Sequence, residues 1–306
     1  MNPGTMAGLR RPGARAAVLI LGAVVALSWW HTAGGVRPVD GPCAAPDEGA
    51  GSPAIADAGG GDAPAGGNVT ETRPMLAVVI DDLGWGLPGT REAMDLDVPV
   101  TLAVLPGGPF SRAEADRARA LGHEVILHLP MEPLSGGRSA TGGTITTSMD
   151  ETAIRATMLR HLDEVGPVAG FNNHTGSRAT SDPRVAGVVV GVAAERGLYV
   201  LDSMTTGRSV LHAMAWRMGV PSAINGVFLD NEKDESYVRS RLALAAGLAR
   251  SHGSLVAIGH VHPVTLKVLA DSVADIEKMG IVFVKASRVV GAQSAPTLEL
   301  ADPRLR

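Results

Sequence analysis

Short, nearly continuous apolar runs recur along the chain from Met75 onward, and polar stretches or turn residues separate them. Runs of this kind are typical of strands that are covered on both faces, as in parallel sheets. The pattern predicts eight strands, over residues 75–81, 100–105, 124–129, 168–172, 198–202, 226–230, 254–259 and 281–285.

Helical patterns fill most of the intervals between these strands. Ser111 and Glu114 predict a capping box ahead of a helix over residues 112–121. A Pro in the first turn is typical of helix starts, so Ser181 followed by Pro183 predicts a capped helix. Further helices are predicted to begin at Asp150, Asp234 and Pro263.

The alternation of strands and helices predicts an α/β fold. We expect an irregular (β/α) barrel of seven to eight units, with a doubly wound open sheet as the alternative. The first strand is followed by Asp-Asp-Leu-Gly-Trp-Gly and not by Gly-x-Gly-x-x-Gly. A dinucleotide-binding site therefore has little support.

The first 33 residues predict an export signal or an N-terminal membrane anchor. Residues 1–15 carry three Arg and no acid, and an uncharged apolar run follows from Ala16 to Trp30. Fifteen helical residues span only about 22 Å of a hydrocarbon core of about 30 Å, but the uncharged run continues to Val36. A cleaved signal and an anchor over residues 16–36 both stay open. Either predicts a periplasmic or other extracytoplasmic location.

Residues 34–72 predict a linker between this segment and the folded domain. They include ten Gly, five Pro and eight Ala and have no aromatic residue. Such a stretch buries too little apolar area to offset its ordering entropy. We expect the folded domain over residues 73–290 and a C-terminal tail over 291–306.

The net charge and the cysteine count make some classes of partner and site improbable for this chain. The net charge of −4 gives no basic excess to follow a phosphate backbone, so nucleic acid is not an expected partner. Cys43 is the single cysteine, which excludes a disulfide framework and any zinc site built from cysteines.

Polar residues collect where the predicted strands end. In a parallel barrel these carboxyl ends open on one face, where catalytic residues lie. The residues concerned are Asp81, Asp82, His128, Asn172, Asn173, His174, Asp202, Asp230, Asn231 and His260. Asp and His side chains from separate strand ends predict a divalent-metal site. Mixed nitrogen and oxygen ligation without thiolate suits zinc first and other first-row metals next. His123, at the start of its strand, is expected to be structural.

Seven phrases occur in order between about residues 74 and 290: VVIDDLGWG, VTLAVLP, GHEVILHLPMEP, NNHTGSRAT, LDSMTT, FLDNEKDE and AIGHVHP. Together they resemble the polysaccharide deacetylases with a NodB-homology domain, and most closely their divergent, YibQ-type branch. The resemblance implies a deacetylase-like irregular (β/α) barrel. It also implies metal-dependent removal of acetyl groups from an envelope polysaccharide or glycan.

The resemblance also assigns roles to individual residues. It implies that Asp81 is the general base, Asp82 a metal ligand and His128 the first ligand histidine. The second ligand position of the family falls on Glu132, so we expect His174 to supply the missing imidazole. His260 matches the catalytic histidine that protonates the leaving group, and Asp202 falls near the fourth family motif.

Five residues are candidates for substrate binding: Trp85, Glu132, Arg178, Asp202 and Asp230. The family's Arg-Pro segment is replaced by Asn172-Asn173-His174, and Arg178 is a candidate to replace the lost arginine. Trp85 is a candidate for stacking on a sugar ring or, alternatively, for a hydrophobic lid. Glu132 and Asp230 are further candidates for substrate binding.

Three functions stay open at this point. The first is a metal-dependent deacetylase, and the second is a non-catalytic glycan-binding or regulatory domain. The third is another metal-dependent hydrolase, such as a phosphoesterase. The retained Asp81 and His260 favour the deacetylase, and the absence of a Lys and Arg cluster in the motifs disfavours phosphoester chemistry.

Overall fold

Parallel strands form one curled sheet in the computed structural model, which describes residues 73–135 and 143–291. The strands are β1 (Met75–Leu83), β2 (Thr101–Val104), β3 (Glu124–Met131), β4 (Gly170–Thr175), β5 (Tyr199–Asp202), β6 (Ser222–Ile224), β7 (Val227–Phe228), β8 (Ser254–His260) and β9 (Val282–Val284). The helices are α1 (Thr90–Met94), α2 (Ser111–Ala120), α3 (Glu151–Val165), α4 (Pro183–Arg196), α5 (Leu211–Arg217), α6 (Glu235–His252), α7 (Pro263–Lys278) and α8 (Ala286–Val290). A short 3₁₀ turn covers Ala179–Ser181.

A kinked segment over residues 222–228 joins the two ends of the sheet. Its first part, β6, pairs with β5, and its second part, β7, pairs with β8, which in turn pairs with β1. Between them, Asn225 N–H donates to the carbonyl of Asp202 and Gly226 N–H donates to that of Val256. The curled sheet with its surrounding helices is the irregular (β/α) barrel that the sequence predicts.

Alternating residues of the strands divide the core into two layers, because successive side chains of a strand point to opposite faces. Side chains such as Val79, Ile126 and Ile258 fill the barrel interior, and Val289 of α8 packs against this inner layer. Neighbouring positions such as Leu76, Val78 and Ile80 lie in the outer layer with the buried faces of the helices.

The helix starts confirm part of the capping predictions and correct the rest. Asp150 and Asp234 cap α3 and α6, where their carboxylates accept from the backbone N–H groups of Ala153 and Tyr237. The cap of α4 is Asp182 and not Ser181, because the Asp182 carboxylate accepts from the N–H groups of residues 184 and 185.

The capping box predicted at α2 is wrong, because both of its side chains bond elsewhere. The Ser111 hydroxyl donates to the carbonyl of Leu105. The Glu114 carboxylate accepts from the N–H groups of Gly84 and Gly86, at 2.5 and 3.0 Å.

Three predicted segments fall outside the described residues. They are the export signal or anchor over 1–33, the linker over 34–72 and, apart from Gly291, the tail over 291–306. Within residues 73–135 and 143–291, no helix has both the length and the apolar character that crossing a membrane requires.

Candidate functional site

The carboxyl ends of four strands bring the predicted polar residues together. Asp81 of β1 lies beside His260 of β8 in the strand register, and His128 of β3 lies beside Asn172 of β4. His174 follows Asn172 by two residues, so both side chains leave β4 on the same face. Asp81, His128 and Asn172 are almost fully buried.

Asp82, His128 and His174 form a compact cluster of three potential metal ligands. Asp82 Oδ1 lies 3.4 Å from His128 Nε2 and 3.2 Å from His174 Nδ1, and the two nitrogens are 3.1 Å apart. Ligand atoms on a tetrahedral zinc ion, with bonds of about 2.0–2.1 Å, lie roughly 3.3 Å apart. The three atoms therefore have the spacing of one face of such a site.

Two properties of Asp82 support a cation at this cluster. Its Oδ1 is buried and has no well-aligned hydrogen bond within the described part of the chain. Its backbone has φ of 71°, in the left-handed region that a non-glycine residue rarely adopts. Strained backbone of this kind persists where the surrounding structure holds a functional side chain in place. The donor set and the orphaned oxygen fit a divalent metal ion.

Burial and charge act differently on the neighbouring carboxylates. Burial raises the pKa of Asp81 above its ordinary value, although the charges of His128 and His260 oppose this shift. Burial also acts to raise the pKa of Asp82, but the contacts with His128 and His174 outweigh it and hold that pKa well below its usual range. One carboxylate is thus suited to stay ionised and the other to accept a proton.

His260 is held by a second carboxylate. Asp230 Oδ1 lies 2.8 Å from His260 Nδ1, and Asp230 Oδ2 accepts from the His260 N–H and from the Thr265 hydroxyl, each at 2.7 Å. Burial disfavours the charged imidazole, but the hydrogen bond to Asp230 and the nearby carboxylates outweigh it and raise the pKa of His260 to about 9.

His262 lies close to this pair, with its ring stacked 5.7 Å from that of His260. Asp230, His260 and His262 also bring potential ligand atoms within 4.8 Å of one another. The oxygens of Asp230 already accept three hydrogen bonds, so this group fits the orientation of His260 better than it fits a metal site.

Arg178, the candidate to replace the lost arginine, contacts Glu132. Its Nε lies 3.3 Å from Glu132 Oε1, and its Nη2 donates to the carbonyl of Leu134. The other oxygen of Glu132 accepts from the N–H and the hydroxyl of Thr147, both at 2.8 Å. Arg178 is thus paired with Glu132, and its role in substrate binding stays a prediction. Glu132 itself accepts hydrogen bonds from Thr147 and is not among the residues whose ligand atoms converge at the cluster.

The contacts of Asp202 favour a structural role. Its Oδ1 accepts from the N–H of Met204, and its Oδ2 accepts from the Ser209 hydroxyl and from the N–H of His212. These bonds order the loop between β5 and α5. Substrate binding by Asp202 stays a prediction.

Trp85 lies in the loop that follows the Asp81-Asp82 pair, and 37% of its surface is exposed. The Glu114 carboxylate holds the glycines on both sides of it. Gly84 has φ of 112°, and a Cβ there would lie 2.7 Å from the carbonyl oxygen of Leu105, so the loop requires this glycine. Its exposure leaves the indole free to meet a ligand.

Sequence reasoning did not assign a role to Asn172, which contacts both halves of the site. Its Nδ2 donates to Asp81 Oδ1 at 2.9 Å, and its Oδ1 lies 2.8 Å from His128 Nδ1. The available signal was its position two residues before His174 on the same strand. His123, which directly precedes β3, contacts the carbonyl of Met94.

The chain belongs to the divergent polysaccharide deacetylase family, whose sequence profile matches residues 78–290. The predicted family is thereby confirmed. The uncharacterized protein YibQ of Escherichia coli strain K12 is 35% identical over 222 residues, which cover 72% of this chain and 69% of that protein. An uncharacterized protein of Haemophilus influenzae is 34% identical over 194 residues, or 63% of this chain and 69% of that protein.

A solved structure shares the fold. The uncharacterized protein ATU2773 from Agrobacterium tumefaciens C58 matches with a TM-score of 0.68 at 23% identity, and the match covers 71% of this chain and 89% of that chain. This likeness agrees with the irregular barrel described above.

Proposed function

We propose that this chain is a metal-dependent hydrolase that removes acetyl groups from a cell-envelope polysaccharide or glycan. The observation that carries the proposal is the arrangement at one barrel end. A three-atom ligand cluster with spacings of 3.1–3.4 Å lies beside a buried carboxylate, Asp81, and an imidazole, His260. Membership of the deacetylase family supports the same reaction class.

Asp82, His128 and His174 would hold the divalent metal, for which zinc fits the mixed oxygen and nitrogen donors. When bound, a metal of this kind lowers the pKa of a water molecule and polarises an acyl carbonyl. Asp81 is suited to accept a proton from the attacking water, because its Oδ2 is directed to the cluster at 3.6 Å from His128 Nε2.

His260 is suited to donate a proton to the departing nitrogen or oxygen. Its raised pKa keeps the imidazole protonated at neutral pH, and Asp230 fixes the ring through Nδ1. Nε2 is then the nitrogen that meets the leaving group. Trp85, exposed in the loop after the Asp81-Asp82 pair, supplies a flat apolar surface for a sugar ring.

The place of action is part of the same proposal. An N-terminal signal or anchor over residues 16–36 would keep the domain on the extracytoplasmic side of the membrane, where envelope glycans are found. The linker over residues 34–72 would give the domain reach from the membrane surface.

A non-catalytic glycan-binding or regulatory domain is the second candidate. Glu132 occupies the position of a ligand histidine in ordinary family members, and it bonds to Thr147 instead of joining the cluster. The exposed Trp85 serves a binding role equally well.

Two substitutions in the full chain separate enzyme from binder. Asp81→Asn should keep the metal and the fold but lose turnover by about 10²–10⁴-fold, because an amide does not accept the proton of water. His260→Ala should also retain the metal, and it should lose most turnover on substrates with an amine leaving group.

The measurements are acetate release and glycan affinity for the unmodified chain and both variants. Acetate release that persists in both variants would place the chemistry elsewhere. No acetate release from any of the three proteins, with intact glycan binding, would favour the binder.

A further inference from the structure

Asn172 is a fully buried amide at the centre of the site. Its side chain makes three contacts: Oδ1 with His128 Nδ1 at 2.8 Å, and Nδ2 with Asp81 Oδ1 at 2.9 Å and with the Ser203 hydroxyl at 3.3 Å. Both donor hydrogens and the acceptor of the amide are therefore in use. A single neutral group bridges a predicted metal ligand and the predicted base.

The orientation of this amide is fixed by its partners. A flipped amide would place Oδ1 against the Asp81 carboxylate, and two acceptors at 2.9 Å would repel each other. With Nδ2 toward Asp81, Oδ1 faces His128 and can only accept. His128 must then carry a proton on Nδ1, and its Nε2 lone pair faces Asp82 and His174.

The same amide also fixes the base. Because Asn172 holds Asp81 Oδ1, the carboxylate presents its other oxygen toward the ligand cluster. Arg178 pairs with Glu132. The hydrogen bond to Asp81 Oδ1 comes from the buried Asn172.

We propose that Asn172 is the positioning residue that sets both the ligating tautomer of His128 and the orientation of Asp81. The part of the proposal on the orientation of Asp81, called the Asp81 half, rests on the proposed hydrolase function. The part on the tautomer of His128, called the His128 half, concerns metal binding alone. Partners that orient a metal-ligating histidine commonly contribute 10–100-fold to metal affinity or activity.

Two substitutions at this position separate the two halves. Asn172→Asp keeps an acceptor for His128 Nδ1 but places a second carboxylate against Asp81. It should keep the zinc affinity within about threefold and lower kcat at least about tenfold, with little change in KM. Asn172→Ala removes both contacts, so we expect about 10–100-fold weaker zinc binding in addition to the loss of kcat.

Asn225→Asp is the matched control. Asn225 is also buried, but its side chain contacts the N–H of Val227 and the carbonyl of Ser203, away from His128 and Asp81. This variant introduces the same change of side chain and should leave the zinc affinity unchanged. Circular dichroism checks that every variant is folded.

The experiment measures zinc affinity by chelator competition, the ¹⁵N NMR signals of His128 in the zinc-loaded full chain, and kcat and KM for acetate release. In the unmodified chain and in Asn172→Asp, the proton should reside on His128 Nδ1; in Asn172→Ala that proton should lose its protection from exchange.

Equal zinc affinity in Asn172→Ala and the unmodified chain would overturn the His128 half. Parallel loss of zinc binding and kcat in both Asn172 variants would mean that the residue only supports packing. If no protein releases acetate while the zinc affinities separate as expected, the proposed function and the Asp81 half fail and the His128 half stands.

Discussion

His128 lies in the C-terminal half of β3 and His123 directly precedes that strand, and the two imidazoles have different surroundings. His128 faces Asp82 and His174, whereas His123 contacts the carbonyl of Met94. We expect Asp82→Ala or His128→Ala to remove most bound zinc, because each removes one of three ligands. His123→Ala is the matched control and should retain the metal. Metal analysis after dialysis checks this, and equal loss in all three variants, or in none, would contradict the ligand assignment.

The Asp230–His260 pair predicts a pH dependence. The pKa of His260 is raised to about 9, so a proton-donating role is lost as the pH rises through that value. Asp230→Asn removes the carboxylate that stabilises the charged His260 ring. The ring stays buried, and burial by itself lowers the pKa of an imidazole. The alkaline limb of kcat/KM should therefore move to lower pH.

A direct NMR titration of the His260 ring tests the same shift without relying on turnover. Glu232→Gln, in the same loop but exposed, is the control for loss of a negative charge. An unchanged titration of His260 in Asp230→Asn would show that Asp230 does not set its pKa.

The sequence predicted which residues would meet at the site but not how they would pair. The predicted site residues lie at the ends of apolar runs, and in a parallel barrel the carboxyl ends of the strands meet on one face. These residues are Asp81, Asp82, His128, His174 and His260. The partners of these residues depend on strand register and on loop paths. For this reason neither the Asn172 contacts nor the pairing of Arg178 with Glu132 could be predicted.

At the scale of helices and strands, buried apolar runs were sufficient to locate most elements. β1, β3 and β8 begin where the pattern predicts. The segment over residues 222–228 is different, because Ser222–Ile224 is only three residues long and mixes polar with apolar side chains. It forms a strand by tertiary pairing with β5, and local propensity does not report such pairing.

The Glu114 contacts are a second case in which the local sequence does not predict a tertiary contact. A Glu three residues after a Ser is a capping signal in the sequence, but the carboxylate finds two unpaired N–H groups in the glycine loop beside Trp85. A contact between residues about thirty positions apart has no local signature. The result is that α2 steadies the loop that follows the Asp81-Asp82 pair.

At the scale of the whole molecule, the barrel has polar clusters at both ends and an apolar layer between them. At the end opposite the site, Glu124 Oε1 accepts from the hydroxyls of Tyr199 and Thr101, at 2.9 and 3.0 Å, and from the N–H of Ser287 at 3.1 Å. Ser287 belongs to α8, so this cluster fastens the C-terminal helix to the barrel. Burial and the carboxylate of Glu124 raise the pKa of Tyr199 well above its ordinary value.

The separation of the two clusters predicts that stability and metal binding can be changed independently. Glu124 and His128 are four positions apart along β3, about 13 Å at roughly 3.3 Å per residue. Tyr199→Phe removes one donor from a buried acceptor, so we expect the free energy of unfolding to fall by about 1–3 kcal/mol. Zinc affinity should stay within about twofold, because distant sites without shared partners act additively.

Tyr237→Phe, on the half-buried part of α6, is the matched control and should change the free energy of unfolding by less than about 0.5 kcal/mol. Urea denaturation and chelator competition on the full chain give the two quantities. A tenfold loss of zinc affinity in Tyr199→Phe would show that the two barrel ends are coupled. A free energy of unfolding equal to that of Tyr237→Phe would show that Tyr199 does not stabilise the barrel through Glu124. The expected result, lower stability with intact metal binding, would mean that the interior side chains Val79, Ile126 and Ile258 isolate the site from the end that holds α8.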